Sequence, residues 1–511
     1  SNPSGKTISK LNPRALTSTK AWWTGKFYPT TATYGINEKS AVNGPCLNIS
    51  SLKRPMIAFD YFVDTQTNID GAVLQYFDNT ERKWLNIGVK DEGISWYNAT
   101  GITSNPGSQE FLRAGWTGNS AKEWANARFN LDTIPISQRG KVAIRIAFSS
   151  DGSNPTIAGN TYDGFAFDNV FIGEKQRNVL VERFTNSSLK VYVDEDAYVS
   201  NLYDNQIKLR NNDPASSNFN FIQYHINFPG LDSLNFYNPN DPAARASFFS
   251  ITQPATIADG ATDNKFRPST AGAKSYLDAR SLIDPQFDLS LSAKQGTAQN
   301  KISFDLTVTR RPSFIGAATL LFYVALVENN VEVKNKDGQF RNVLRKQLLG
   351  GDGVTRIWAA NQPFIKESFT DIPLVDCKIN NSKNLWLVAY VQDKNTKEIY
   401  QSTLIRSPEV KAFPVTGIEE GELSEELEAF VYPNPANKIV RFEFSQKINQ
   451  EFDFKIFDQK GVEVLSERLV SRSGKFDDID VSKLSNGVYQ IVVTGSNNIK
   501  IYRKLVVLNS N

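Results

Sequence analysis

Val431-Tyr-Pro-Asn-Pro-Ala436 opens the C-terminal segment of the chain, 429–511, and decides how that segment is read. Pro433 and Pro435 flank Asn434, fix φ on either side of it and remove two backbone donors. The result is a rigid strand entry that resists edge pairing. Downstream, Val488-Tyr-Gln-Ile-Val-Val493 and Lys500-Ile-Tyr-Arg-Lys-Leu-Val506 alternate at the period of strands with one buried face. Turn signals at Asn434-Pro435, Gln459-Lys-Gly461 and Ser485-Asn-Gly487 punctuate them. The segment reads as a small, separate β-sandwich of immunoglobulin-like kind.

Immediately upstream, the chain turns acidic in Ile418-Glu-Glu-Gly-Glu-Leu-Ser-Glu-Glu-Leu-Glu428. A self-repelling run of this kind is solvated, so 413–428 is expected to be a linker. Before it, Lys301–Thr309, Thr319–Val327, Leu385–Gln392 and Ile399–Ile405 read as strands, giving a β-sandwich subdomain over 300–412. The segment 176–299 has α/β order. Asn178-Val-Leu-Val-Glu-Arg-Phe184 is a buried-strand pattern, Asp194 to Arg210 can hold a helix, and Phe221-Ile-Gln-Tyr-His-Ile226 is a second strand. A helix capped by Asp241 with Pro242 at its first position follows, then the strand Ala255–Ala258. The first 175 residues hold short strands such as Met56–Val63, Ala72–Phe77 and Lys141–Phe148, separated by Asn, Gly, Asp and Ser clusters. That spacing suggests a sandwich of jelly-roll type.

The whole is therefore multidomain and mainly β, as 511 residues exceed what one core supports. A net charge of +3 without a basic stripe argues against nucleic acid as a partner. No stretch approaches the ~20 apolar residues that span a bilayer. The chain opens on Ser1 in place of Met, which fits prior removal of a signal peptide. Cys46 and Cys377 lie far apart and outside any CxxC, so they read as buried small hydrophobes. His225 is the one histidine, and any Ser-His-Asp triad would have to use it; inside an apolar strand it reads as a core histidine. No catalytic site is expected.

In order and spacing, Val431–Ala436, Lys455-Ile-Phe-Asp-Gln-Lys-Gly461, Leu484-Ser-Asn-Gly-Val-Tyr489 and Arg503-Lys-Leu-Val-Val507 resemble the type A C-terminal sorting domain of type IX secretion cargo. The resemblance implies that Tyr432, Pro433, Asn434, Pro435, Gly461, Leu484, Gly487, Tyr489 and Lys504 carry the sorting signal. It implies an outer-membrane translocon, its shuttle protein and a sortase as partners. It also implies export to the cell surface or the extracellular space, with the tail cleaved and the body anchored or released. The stretch from Asn178 to about Arg406 is similar to a thioredoxin-like outer-membrane protein family, through Val179-Leu-Val-Glu-Arg-Phe-Thr185, Tyr224-His-Ile-Asn-Phe-Pro229, Gln253-Pro254 and Ala258-Asp-Gly260, and further on through Val324-Ala-Leu-Val-Glu328 and Asn342-Val-Leu-Arg-Lys346. Where that family keeps a redox CxxC, this chain has Asn186-Ser-Ser-Leu-Lys-Val191, and a hydroxyl supplies neither thiolate nor resolving thiol. The fold is expected without the redox chemistry, and Pro254 takes the place of the family's cis proline.

Residues 50–175 resemble a MAM or carbohydrate-binding jelly roll, through Phe59-Asp-Tyr-Phe-Val-Asp64, Asp70-Gly-Ala-Val-Leu-Gln-Tyr76, Trp84-Leu-Asn-Ile-Gly88, Trp96-Tyr-Asn98 and Asp163-Gly-Phe-Ala-Phe-Asp-Asn-Val170. Trp96, Tyr97 and Trp116 offer rings that either stack on a sugar face or pack a core. Asp70, Asp163 and Asp168 offer loop oxygens that either bind a structural Ca²⁺ or cap turns. Asp132-Thr-Ile134 and Asp232-Ser-Leu234 match a short O-glycosylation pattern of this group of bacteria. The body is expected to be a non-enzymatic binding module for a surface glycan or protein. An accessory subunit riding with the translocon or other cargo, and a cryptic hydrolase with paired carboxylates, are the alternatives.

Overall fold

Strand Pro55–Asp64 is buried along its whole length, because the chain covers both of its faces. Ile57, Phe59, Tyr61 and Val63 point into the core of an N-terminal sandwich. On the other face, Met56 and Ala58 meet Leu282, and Phe62 meets Trp124 and Ala166. The structure, a computed structural model, describes residues 21–25, 33–119, 123–153, 156–157, 160–188, 190–208, 213–228, 230, 232–260, 266, 272–297, 301–332, 339–374, 377–406, 429–444, 446–458, 462–495 and 500–508. The linker expected at 413–428 and Gly461 lie outside the described residues. The architecture is mainly β with several sheets, as read from the sequence.

Two antiparallel four-stranded sheets form the N-terminal unit. One runs in the order Trp22–Trp23, Gly164–Glu174, Pro55–Asp64, Ala125–Asn130, and the other Lys39–Asn43, Ile144–Ser149, Gly71–Asp78, Lys83–Asn86. Arg54 ties this unit to the next: its guanidinium donates to the carbonyls of Arg177 and Ser217, each at 3.1 Å.

The middle departs from the expected division at 299/300. One eight-stranded mixed sheet runs through it, in the order Ala255–Ala258, Val179–Thr185, Phe219–His225, Val343–Gln347, Ala318–Glu328, Leu385–Asp393, Ile399–Arg406, with Val354–Trp358 branching from Ala318–Glu328. Strands expected in a separate sandwich thus complete the sheet begun at residue 179. The physical reason is the open edge of Phe219–His225, which would leave unpaired donors inside the protein had Val343–Gln347 not joined it in parallel. Helix Lys190–Lys208 makes the crossover between the parallel strands Val179–Thr185 and Phe219–His225. Helix Asn240–Phe248 starts one residue before the expected cap, with Pro242 in its first turn. A second, three-stranded sheet, Phe287–Gln295, Lys301–Arg310, Phe364–Pro373, packs on a neighbouring core. Among the described residues the cis peptides are Tyr432–Pro433 and Asn434–Pro435; Gln253–Pro254, expected as cis, is not one of them.

Charge is buried in this middle unit. The Arg245 guanidinium, fully inaccessible, meets both Glu182 oxygens at 2.7 and 2.8 Å and lies 4.6 Å from the ring centres of Tyr323 and Phe249. Such a pair is tolerated because every face of the guanidinium is either hydrogen-bonded or stacked.

The C-terminal unit is a sandwich of a three-stranded sheet, Ala429–Tyr432, Ile439–Phe444, Ile479–Asp480, and a four-stranded sheet, Glu463–Val470, Glu451–Phe457, Gly487–Gly495, Lys500–Val507. Its strands alternate as expected: Val440, Phe442, Phe444, Phe452, Phe454 and Ile456 all enter the core.

Candidate functional site

Three of the segments singled out in the tail, Val431–Ala436, Leu484–Tyr489 and Arg503–Val507, meet at one corner of the C-terminal sandwich. Asn434 sits between its two prolines and faces the last strand. Its Nδ2 donates to the carbonyl of Lys504 at 2.8 Å, and its Oδ1 accepts from Val506 N at 2.7 Å. Ala436 continues the zip, giving its N–H to Val506 O and taking one from Leu508 N, both at 2.8 Å. Tyr489 lies opposite Leu505, and Gly487 opposite Val507, so the Leu484–Tyr489 stretch pairs with the same strand. The Tyr489 hydroxyl donates to Ser485 O at 2.8 Å, closing the turn, and Leu484 is buried beneath it. Tyr432 OH donates to Glu443 at 2.8 Å; this contact and burial push its phenol up to about 12, burial contributing most. Pro433, Pro435 and the Lys504 side chain stay exposed. The corner thus has a rigid interior and an accessible outer rim.

Residues 430–508 match the secretion-system C-terminal sorting domain family. The sorting domain marks the chain as type IX secretion cargo, exported across the outer membrane to the cell surface or the extracellular space. It implies contact with the type IX machinery. No curated protein matches the chain. Among solved structures, a domain of the outer membrane lipoprotein Omp28 from Porphyromonas gingivalis is similar at 19% identity and TM-score 0.18, over 24% of this chain and 89% of that one. Dimeric latent PorU from the same organism is similar at 9% identity and TM-score 0.15, over 96% of this chain and 85% of that one. Overlaps at these scores carry no argument about the body.

Ahead of the sorting domain, the aromatic platform expected on the sandwich is corrected. Trp96, Tyr97 and Trp116 are core residues, 5%, 2% and 0% exposed. Trp116 packs edge-on to Trp96 and Tyr97 at centroid distances of 5.1 and 4.6 Å. Their polar atoms are turned inward as well: the Trp96 indole donates to Ile87 O, and the Tyr97 hydroxyl both donates to Leu74 O and accepts from Leu74 N. A ring enclosed in this way cannot reach a sugar. Trp22, 61% exposed and stacked on Phe167 at 6.4 Å, and Phe111, 78% exposed, are aromatics that do face outward on this unit.

The three aspartates expected to bind Ca²⁺ are not brought together; no group of three His, Cys, Asp or Glu side chains among the described residues could hold a metal ion. Asp70 is buried, with Oδ2 accepting from Tyr34 OH at 2.8 Å and Oδ1 from Asp151 N at 2.9 Å. Burial raises its pKa even so. Asp163 gives its N–H to Asp64 and its carbonyl to the Trp23 indole, while Asp168 stands opposite Asp60 further along the strand pair. Of the three carboxylates, that of Asp70 braces the neighbouring loops through Tyr34 and Asp151. Of the two glycosylation matches, Thr133 is exposed on a turn, whereas Ser233 Oγ is buried.

His225 has a partner that sequence reasoning missed. Its Nδ1 meets Asp232 Oδ2 at 2.7 Å, and Asp232 also accepts from Ser187 N, Ser187 Oγ and Leu234 N at 2.7, 2.9 and 2.9 Å. Burial alone would raise the Asp232 pKa, but the imidazole and these donors hold it below the usual carboxylate range. Serine, histidine and aspartate are adjacent, yet the hydroxyl bonds the carboxylate and not the ring, the reverse of a nucleophile relay. Ser187 anchors the loop that carries Asp232. Spacing gave no signal for Asp232, because that loop folds back to it.

The loop 227–241 also lines a cleft of about 410 Å³ against the sorting domain, with Asn238 and Lys346 on one wall and Asn434 and Lys504 on the other.

Proposed function

We propose that this cargo chain acts outside the cell as a non-enzymatic binding module for a glycan or another surface protein, with the sorting domain engaging the translocon, its shuttle protein and a sortase. The observation that carries the export half is the convergence of Asn434, Tyr489 and Lys504 at one corner with an exposed rim. For the body, the reading is supported by the enclosure of its one histidine: His225 and Asp232 are buried and bonded to each other. A jelly-roll front, a thioredoxin-like core and an immunoglobulin-like tail are the folds we assign. The parallel pair Val179–Thr185 and Phe219–His225, joined by helix Lys190–Lys208 and flanked by antiparallel Ala255–Ala258, supports the middle assignment. In that core the stretch Asn186-Ser-Ser-Leu-Lys-Val191 has no cysteine where a redox CxxC would lie, leaving a scaffold.

Glycan arrays and outer-membrane extracts probed with the full chain, with and without 413–511, test this reading. Saturable binding that survives loss of the tail supports it. Turnover of a glycoside or peptide, abolished by one Asp or Glu substitution, would replace it with the hydrolase reading.

A further inference from the structure

Phe236 lies at the tip of the loop between strand Phe219–His225 and helix Asn240–Phe248. Amide side chains pin this loop. Asn235 Nδ2 donates to His225 O at 2.6 Å, and Asn238 Nδ2 to Arg345 O at 3.0 Å. The loop therefore presents Phe236 and Tyr237, themselves packed edge to face at 4.9 Å, as a fixed aromatic pair. The sorting domain rests on this pair. Phe430, in its first strand, meets Phe236 edge-on at 5.5 Å. The Arg503 guanidinium, on its last strand, lies 4.4 Å over the Phe236 ring while its Nε donates to Ala429 O at 2.7 Å. One guanidinium thus joins the first and last strands of the tail and caps a ring of the body. Lys378 sits 4.9 Å over the neighbouring Tyr237.

We propose that the Phe236–Tyr237 loop is the body's docking surface for its own sorting domain, a latch made in cis while the tail is attached. The chemistry is a cation on an aromatic face plus an edge-to-face aromatic pair, each a modest attraction. Such a contact is too small to hold two separate molecules. A covalent connection raises the effective concentration to about the millimolar level and so favours the contact only in cis. Separating the tail from the body therefore releases it and uncovers Phe236 and Tyr237. This inference does not depend on what the body binds.

The test is small-angle scattering of the full chain, with amide hydrogen exchange across 227–241 as a second readout. Wild type is expected to scatter as a closed particle. Phe236→Ala should lengthen the maximum dimension and speed exchange across the loop several-fold, and Phe236→Trp should restore both. The sorting domain's melting transition should fall only slightly, by the small stabilisation that docking gives it, as Phe236 belongs to the body. If Phe236→Ala perturbs the body's own transition, Arg503→Gln, which keeps a donor for Ala429 O, opens the latch from the other side. Superposable scattering and exchange for wild type and the opening variant would overturn the proposal, as would a wild type already extended.

Discussion

Replacing Trp116 with alanine separates a core aromatic from a ligand platform. Trp116 has no exposed surface, and the rings of Phe59, Tyr61, Trp96, Tyr97 and Phe165 lie 5.5, 5.4, 5.1, 4.6 and 5.9 Å from it. Its indole also donates to Ser95 O at 3.2 Å. Truncation of a buried Trp costs about 3–5 kcal/mol, and with five aromatic neighbours unable to collapse into the void the upper end applies. For a unit of roughly 150 residues this lowers its Tm by about 10–20 °C, taking ~2–4 °C per kcal/mol. Scanning calorimetry of the full chain should show one transition moving down by that amount while the others stay in place. Trp22→Ala, at the exposed ring, should shift nothing by more than about 0.5 kcal/mol. An unmoved transition for Trp116→Ala, together with loss of glycan binding, would refute the core assignment.

Glu182→Ala strands the Arg245 charge in the interior and should cost about 3–5 kcal/mol in urea unfolding, whereas replacing both partners with methionine should cost far less. Asp232 has a folded-state pKa held below its unfolded value, so its contribution is complete above the unfolded value of about 3.9 and disappears as pH falls through the lower folded one. Asp232→Asn should therefore lower stability at pH 7 and flatten the acid limb of the stability–pH curve; an acid limb identical to wild type would sink that account. Asn434→Ala removes two hydrogen bonds that close the sorting domain, about 1–3 kcal/mol in all. The expected outcome is a lower melting point for that domain and accumulation of the chain in the periplasm, read by fractionation and immunoblot.

The elements were largely legible in the sequence. Met56–Val63 became Pro55–Asp64, Thr319–Val327 became Ala318–Glu328, and the tail strands fell where alternation placed them. Period-2 patterning is local, and each of these strands has at least one face against a core. The sorting segments were legible too, as ordered motifs. Their meaning as one corner was not, because Asn434 reaches Lys504 only through sheet closure.

Sequence alone determined the strand-rich class and the separate C-terminal sandwich, since composition, alternation and turn residues act over a few positions, and it carried the export address through the resemblance of the ordered tail motifs to a sorting domain. Tertiary structure decided the rest. Whether Trp96 and Trp116 face inward depends on which sheet closes over them, and both stand outside regular strands where no period reports a face. Val343–Gln347 joins Phe219–His225 across more than a hundred residues because an unpaired edge inside the protein costs more than a long loop closure. Phe236 and Arg503 gained their roles in the same way, as partners distant in the chain and adjacent only in the fold, and Asp232 through a loop that returns to His225 and to Ser187, 45 residues upstream.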